Sequence, residues 1–221
     1  MKANSERVKG KNFREFNGKP LFRWTLDILL SIKDIDQVII NTDARDVLAD
    51  HGLIETDRIV IRDRKQEICG DTVSMNLIIE DDVNNIDADI YLMTHTTNPL
   101  MTAKTLGSAL AAFQVQQNNM AVDTDSLFTV DRIQTRFYRE DCSAVNHDPN
   151  NLLPTQDLEL WFEENSNLYI FTKEAFDKTN ARIGVNPMMY ETPNFESIDI
   201  DTPDDWDFAI AVGIYLQGKI K

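Results

Sequence analysis

Two aspartates alternate with isoleucines near the end of the chain, within residues 197–206 (SIDIDTPDDW). Residues two apart on an extended segment face the same side, so Asp199 and Asp201 can direct both carboxylates at one point. Two carboxylates together with substrate phosphates are a common way to hold Mg²⁺. An alternative is that the acidic residues only favour the start of the next helix, which accounts for Asp204 and Asp205 but not for Asp199. The pattern therefore predicts a site for Mg²⁺ (or Mn²⁺) on Asp199 and Asp201.

A basic segment, residues 2–12 (KANSERVKGKN), lies at the other end of the chain. Phosphates are bound by cations and clustered N–H donors, and here Lys2, Arg7 and Lys11 are interleaved with small polar residues. Residues 1–23 hold seven basic residues against two acidic ones, a net charge of +5, whereas the remainder carries −20. This asymmetry predicts a small anionic ligand such as a triphosphate. A solvated, mobile tail is the alternative interpretation.

Two further polar segments directly follow apolar runs. Asp43 follows residues 37–42, and residues 94–100 (THTTNPL) follow a run that begins at residue 90. Ligands of open α/β sheets bind outside the carboxyl ends of the strands, so both segments are predicted to lie at the ligand-binding edge. The alternatives are that Asp43 or Thr42 only caps the next helix, and that residues 94–100 form an ordinary polar turn.

The elements that would position these side chains alternate along the chain. Short apolar runs predict buried strands at residues 37–42, 58–61, 90–94, 126–130 and 168–171. Amphipathic patterns predict helices at residues 20–31, 44–52, 73–83, 103–117 and 203–216. Such alternation is typical of an α/β sandwich with a mostly parallel sheet and right-handed crossovers. Residues 182–191 predict a loop with a short strand, and an arm or hairpin insertion is expected within residues 130–165.

Composition limits the class of protein. The length of 221 residues predicts a single domain over 1–221, and a net charge of −15 argues against nucleic-acid binding. We expect no membrane association, because no apolar run reaches the length of a membrane helix. The two cysteines, Cys69 and Cys142, have no metal-site spacing, which favours a reduced, cytoplasmic setting.

The motifs in combination resemble those of the acylneuraminate (CMP–sialic acid) cytidylyltransferase family. The similarity extends from Lys2 to Trp206 and rests on the ordered set KANSERVKGKNFREFNGKPL, NTD, GDTVSM, HTTNPL, ENSNLYIF and SIDIDTPDDW. The resemblance implies a three-layer nucleotide-binding sandwich of the glycosyltransferase-A kind that dimerises through an arm. It also implies transfer of CMP from CTP to a sialic-acid-like nonulosonic acid, with release of pyrophosphate and dependence on Mg²⁺.

The resemblance assigns roles to individual positions. Catalytic roles fall on Lys2, Arg7, Lys11 and Asp201, and metal binding on Asp199 and Asp201. Nucleotide binding falls on Lys2, Asn4, Ser5, Lys11, Asn12, Arg62, Asp71 and Ser74. Sugar binding falls on His95, Thr96, Thr97, Asn98 and Arg136.

The chain departs from the family's pattern in three places. Glu6 stands where a Lys usually follows the Ser, so Arg7 is taken as its substitute. Glu163 and Glu164 stand where an Arg is common, and Met101 stands where another is common; Arg132, Arg136 and Arg139 are the alternatives for the sugar carboxylate. The family's first β-strand normally precedes the basic loop, so we expect the sheet to lack that strand and to be stabilised by an extension of about ten residues.

Alternative functions remain open from the sequence. One is a related nucleotidyltransferase for another sugar acid, such as an eight-carbon ulosonic acid. Another is a non-catalytic protein that binds nucleotide sugars. A dinucleotide-binding oxidoreductase is not supported, because no Gly-x-Gly-x-x-Gly follows a predicted strand.

Overall fold

The fold is given by a computed structural model that describes residues 1–3, 5, 7–119 and 122–219. The strands are β1 (Glu15–Phe16), β2 (Lys19–Pro20), β3 (Val38–Thr42), β4 (Ile59–Asp63), β5 (Tyr91–Thr94), β6 (Ser126–Ile133), β7 (Trp161–Phe171) and β8 (Pro187–Glu191). The helices are α1 (Leu21–Ser31), α2 (Arg45–Asp50), α3 (Met75–Val83), α4 (Ala103–Gln117), α5 (Lys173–Thr179) and α6 (Pro203–Lys219), with 3-10 turns at Gln66–Ile68 and Thr155–Asp157.

The strands form two central sheets. β3 and β4 pair in parallel, and the four-stranded sheet has the order β5-β7-β6-β8. β6 and β8 are parallel, but β7 runs antiparallel to both of its neighbours. The sheet is therefore mixed, whereas the sequence predicts a mostly parallel one. Within the described ranges no ladder joins β3 to β5.

Helices cover both faces of the sheets, which confirms the predicted three-layer α/β sandwich. Alternate residues of β7 enter different cores: Leu168 and Ile170 pack with α1 and α4, and Tyr169 and Phe171 pack with α3 and α5. This division follows from the period-two alternation of side chains along a strand. A smaller cluster around Trp206 joins α6 to the start of the chain.

A tight hairpin joins β1 to β2 and ends the basic segment. Asn17 and Gly18 lie at its tip with φ angles of 45° and 94°. Only residues that tolerate positive φ fit such a turn, and Asn-Gly is its preferred sequence. The Asn17 amide donates to Ile210 O of α6 at 3.4 Å, and Phe16 packs edge-on against Trp206. The hairpin thus fixes the basic segment against the last helix.

Residues 130–165, where the sequence predicts an arm, hold the last part of β6, the first part of β7 and the segment between them, and this region is called the arm below. The two strands continue to pair from Val130↔Glu164 to Ile133↔Trp161 and carry residues 134–160 at their end. Phe137 stacks on Trp161 with ring centroids 5.1 Å apart, and the Arg136 guanidinium donates to Leu153 O at 2.6 Å. The arm is therefore an ordered extension of the sheet.

Candidate active site

The basic loop and the aspartate pair meet, although they lie at opposite ends of the chain. The Lys11 ammonium donates to Ile200 O at 2.6 Å and is 3.4 Å from Asp201 Oδ1. Arg7 Nη1 lies 3.0 Å from Asp201 Oδ2. The Lys11 side chain is only 10% exposed and the Arg7 side chain is 64% exposed. Lys11 is therefore held in place by buried contacts, whereas most of the Arg7 side chain is accessible to a ligand.

The aspartate segment is aimed by the core. Ile200 is fully buried against Trp206, and its N–H donates to Thr97 O at 2.9 Å. Because residues alternate along an extended segment, burial of Ile200 turns Asp199 and Asp201 the other way. Asp205, in the first turn of α6, accepts hydrogen bonds from the N–H groups of Asp201 and Thr202 at 3.0 and 2.7 Å. Helix and core together hold the two carboxylates in place.

The Asp199 carboxylate has the features of a metal ligand. Its Oδ1 is buried and has no hydrogen-bond partner among the described residues. Burial raises the pKa of Asp199, the Thr97 hydroxyl opposes the rise, and the nearby Asp201 charge adds to it. A buried, unpaired carboxylate oxygen is costly unless a cation or donor satisfies it. Two hard oxygen donors fit Mg²⁺ or Mn²⁺ with substrate phosphates completing its shell.

The first residues of the loop are anchored at the ends of the strands. Lys2 Nζ is 2.8 Å from Asp71 Oδ1, and the N–H of Ala3 donates to Asp43 Oδ1 at 2.7 Å. Asn12 Nδ2 donates to Lys2 O at 2.9 Å, and Thr96 Oγ1 donates to Asn12 Oδ1 at 2.7 Å. The loop therefore closes on itself and connects the ends of β3 and β5.

Other protein groups are bound by the predicted site residues Ser74, Arg62 and Arg136, but not by the side chain of Asn98. Ser74 caps α3 by accepting from the N–H of Asn76 at 3.3 Å, and Arg62 pairs at 2.9 Å with the buried Asp81. Asn98 is 1% exposed, and its amide oxygen and nitrogen have no hydrogen-bond partner among the described residues. Arg136 donates to a carbonyl within the arm. Their assigned contacts with nucleotide or sugar stay predictions. Ser5 is half-buried in the loop, and Asn4 lies outside the described residues.

His95 is half-buried directly after β5. Burial lowers its pKa to about 4, and the positive charges of Arg182 and then Lys11 act in the same direction. The imidazole is therefore neutral at physiological pH and can exchange hydrogen bonds with an uncharged hydroxyl or amide of a ligand.

The low pKa of His95 predicts a pH dependence of stability. Because the unfolded chain binds a proton at His95 near pH 6.5 and the folded chain does so only near pH 4, the free energy of unfolding should fall as pH decreases between these values. Urea unfolding of wild type and His95→Gln at pH 7, 6 and 5 measures the contribution. We expect a shallower decline in the variant. A His95 ring resonance that titrates above pH 6 would contradict the assignment.

The cation that contributes most to the low pKa of His95, Arg182, was not predicted from the sequence. Arg182 lies in the loop between α5 and β8, with its guanidinium 3.7 Å from the centre of the Tyr169 ring. That loop has no motif, so the only sequence signal is an arginine among residues predicted to form a loop and a short strand.

Comparison with known proteins decides the family. The profile of the cytidylyltransferase family matches residues 1–218, almost the whole chain. The chain belongs to the cytidylyltransferase family. Membership confirms the resemblance stated from the sequence motifs, and with it the prediction of an enzyme. The family match includes both the basic loop and the aspartate pair, the two parts of this cytidylyltransferase that meet in space.

Two curated relatives of this cytidylyltransferase match over almost their full lengths. A CMP-N,N′-diacetyllegionaminic acid synthase of Legionella pneumophila is 26% identical over 93% of this chain and 90% of the relative. A pseudaminic acid cytidylyltransferase of Campylobacter jejuni is 21% identical over 94% of this chain and 91% of the relative. Among solved structures, CMP:2-keto-3-deoxy-manno-octonic acid synthetase complexed with CTP gives a TM-score of 0.65 at 13% identity, covering 98% of this chain and 96% of that one. The last comparison supports the fold alone.

Among the residues that the structure describes, this cytidylyltransferase has no helix long and apolar enough to cross a membrane.

Proposed function

We propose that the enzyme transfers CMP from CTP to a sialic-acid-like nonulosonic acid, releases pyrophosphate and depends on Mg²⁺. The observation that carries the proposal is the contact of the basic loop with the aspartate pair through Lys11, Arg7 and Asp201. A cationic loop beside acidic metal ligands is what a metal-bound triphosphate requires. The two curated relatives act on nonulosonic acids according to their names, which favours this substrate class over an eight-carbon acid.

The reaction consists of one displacement at the α-phosphorus of CTP. A sugar hydroxyl forms the new O–P bond, the bond between the α-phosphorus and the bridging oxygen breaks, and pyrophosphate leaves while the hydroxyl proton is released. Such chemistry is mainly positioning and neutralisation of charge. Lys11 is buried and fixed, so it would bind the phosphates without rearrangement. Lys2 and Arg7 would exchange their carboxylate partners Asp71 and Asp201 for phosphate oxygens.

Asp199 and Asp201 would hold the metal. When bound there, Mg²⁺ supplies charge neutralisation at the α-phosphate and lowers the pKa of a coordinated hydroxyl. Neutral His95, with Thr96 and Thr97 after it, would contact the uncharged groups of the sugar. These assignments give the nucleotide and the sugar separate sides of one site.

We also propose a cytoplasmic homodimer. Cys69 and Cys142 are both free thiols, which is expected in a reducing compartment. The arm exposes large apolar side chains, with Leu152 at 69% and Phe162 at 44% exposure. Exposed apolar groups on a protrusion are typical of a surface that another chain covers.

A substrate panel tests the proposed reaction. The enzyme is incubated with CTP, UTP, ATP or GTP and with N,N′-diacetyllegionaminic acid, pseudaminic acid or 2-keto-3-deoxy-manno-octonic acid, and pyrophosphate release and product mass are measured. We expect CMP-sugar formation with CTP and a nonulosonic acid, and a loss of at least about 100-fold when EDTA removes the metal.

The panel also distinguishes the alternatives. Product from the eight-carbon acid alone would replace the proposed substrate class. Binding of CTP without pyrophosphate release from any acid would indicate a non-catalytic protein. Full activity in EDTA would contradict the metal site on the aspartates.

A further inference from the structure

Arg182 is held by three side chains of β5 and β7. Its guanidinium stacks on the Tyr169 ring at 3.7 Å, and its Nη2 lies 3.2 Å from Glu164 Oε1. Its Nη1 lies 4.0 Å from the sulfur of Met93. The side chain is only 22% exposed. A guanidinium stacked on a ring in this way is pre-organised and partly desolvated, which strengthens its interaction with an anion.

A β-bulge in β7 builds this arrangement. Ser166 has a φ of 58°, and the β6–β7 register shifts opposite it. The bulge lets the Glu164 carboxylate accept from the Tyr169 hydroxyl and pair with Arg182. Burial, followed by the bond to Glu164, raises the pKa of Tyr169 to about 12, so the phenol remains a neutral donor. Bulges frequently redirect side chains next to active sites.

Arg182 lies on the same side of β5 as His95. Met93 is the register partner of Tyr169. His95 follows Met93 by two residues, so the side chains of Met93 and His95 are expected on the same side of β5. The positive charges of Arg182 and Lys11 both lower the pKa of His95, which agrees with this placement.

The proposed sugar substrate carries a carboxylate, so the site must bind one anionic group in addition to the triphosphate of CTP. Lys11 and Arg7 already face Asp201 and would be occupied by phosphates. The arm arginines have partners in or beside the arm: Arg132 lies 3.6 Å from Glu191, and Arg136 donates to Leu153 O. A guanidinium carries five N–H donors, and in the described part of the chain the Nη1 of Arg182 has only a thioether, a weak acceptor.

We propose that Arg182 binds the carboxylate of the sugar acid and so determines the specificity of the enzyme for acidic sugars. This inference rests on the proposed function and names the residue that recognises the acid. Glu164 and the Tyr169 ring fix the position of the guanidinium before the substrate binds, and the Nη1 group next to Met93 donates to the carboxylate.

The test compares Arg182→Gln with wild type and with the matched control Arg45→Gln. Arg45 is also an ion-paired arginine, bonded to Asp63 at 2.7 Å and Glu55 at 3.3 Å, and it has no part in the proposed site. KM is measured for N,N′-diacetyllegionaminic acid, for its uncharged carboxamide and for CTP. In Arg182→Gln we expect the KM of the acid to rise about 10- to 100-fold, with the KM of CTP within about twofold of wild type.

The carboxamide separates recognition of charge from general damage to the site. Wild type should prefer the acid over its carboxamide, and Arg182→Gln should lose most of that preference; Arg45→Gln should keep it. If Arg182→Gln fails to fold, Arg182→Lys keeps the charge without the fork and should raise the KM of the acid selectively.

Three results would overturn the inference: an unchanged KM for the acid, equal losses for acid and carboxamide, or loss of the preference in Arg136→Gln instead. Absence of pyrophosphate release from wild type with every acid would refute the proposed function. Normal wild-type turnover with an unaffected Arg182→Gln variant would refute only the role of Arg182.

Discussion

Replacing Asp201 by alanine is expected to lower kcat by about 10²- to 10³-fold while the protein stays folded. Asp201 pairs with both cations of the loop: Arg7 lies next to one carboxylate oxygen, and Lys11 lies next to the other. Its side chain is 39% exposed, so the lost ion pairs should cost at most about 1 kcal/mol of stability. Turnover is measured by pyrophosphate release, and folding by thermal denaturation, with a fall in Tm of no more than about 2 to 4 °C.

Asp204→Ala is the matched control for Asp201→Ala. Asp204 is exposed and lies in the first turn of α6, three residues further along the chain. Its loss should remove only a favourable interaction with the helix dipole, about 0.3 to 1 kcal/mol, and leave turnover close to wild type. Equal activities of the two variants would exclude Asp201 from the metal site.

Replacing Lys11 by methionine is expected to lower kcat/KM for CTP by about 100-fold or more. Methionine preserves much of the buried stem but removes the ammonium that contacts Ile200 O and Asp201. The carbonyl of Ile200 then loses a donor in a buried place, which should cost about 1 to 3 kcal/mol of unfolding free energy. Steady-state kinetics with varied CTP and urea unfolding measure the two effects.

Lys9→Met is the control within the same loop. Lys9 is exposed, so its replacement changes the charge of the loop by the same amount without removing a buried contact. We expect a change in kcat/KM of less than about threefold, because screened surface charges contribute little. If both lysine variants lost activity equally, the loop would act through its total charge and not through a fixed cation at Lys11.

Hydrophobic periodicity predicted most of the fold because these elements bury one clear face. Helix α4 has the predicted bounds, Ala103–Gln117, and the predicted strand at residues 37–42 is β3, Val38–Thr42. The sequence predicts β7 only at residues 168–171, because residues 163–167 are polar and the first part of the strand is defined by its pairing with β6. The β1–β2 hairpin was missed, although Asn17-Gly18 is a recognisable turn signal.

The candidate site was predictable where local pattern decided it. Alternation along the chain was sufficient to pair Asp199 with Asp201, and the density of cations was sufficient to single out the loop of Lys11. The burial of Arg62 against Asp81 depends on a helix that follows it in the chain, so its sequence neighbours do not reveal it. Arg182 is positioned by a bulge and a ring contact of β7, and neither is visible as a pattern in the residues around Arg182.

The hydrogen bond from Lys11 to Ile200 O joins groups 189 residues apart. A ribosome adds about 5 to 20 residues per second, so about 10 to 40 s pass between the synthesis of Lys11 and the synthesis of its acceptor, Ile200. Closing so long a loop is entropically slow and comes late in folding. The enzyme should therefore gain its catalytic competence in one late step, and a nascent chain without its last helix should have none.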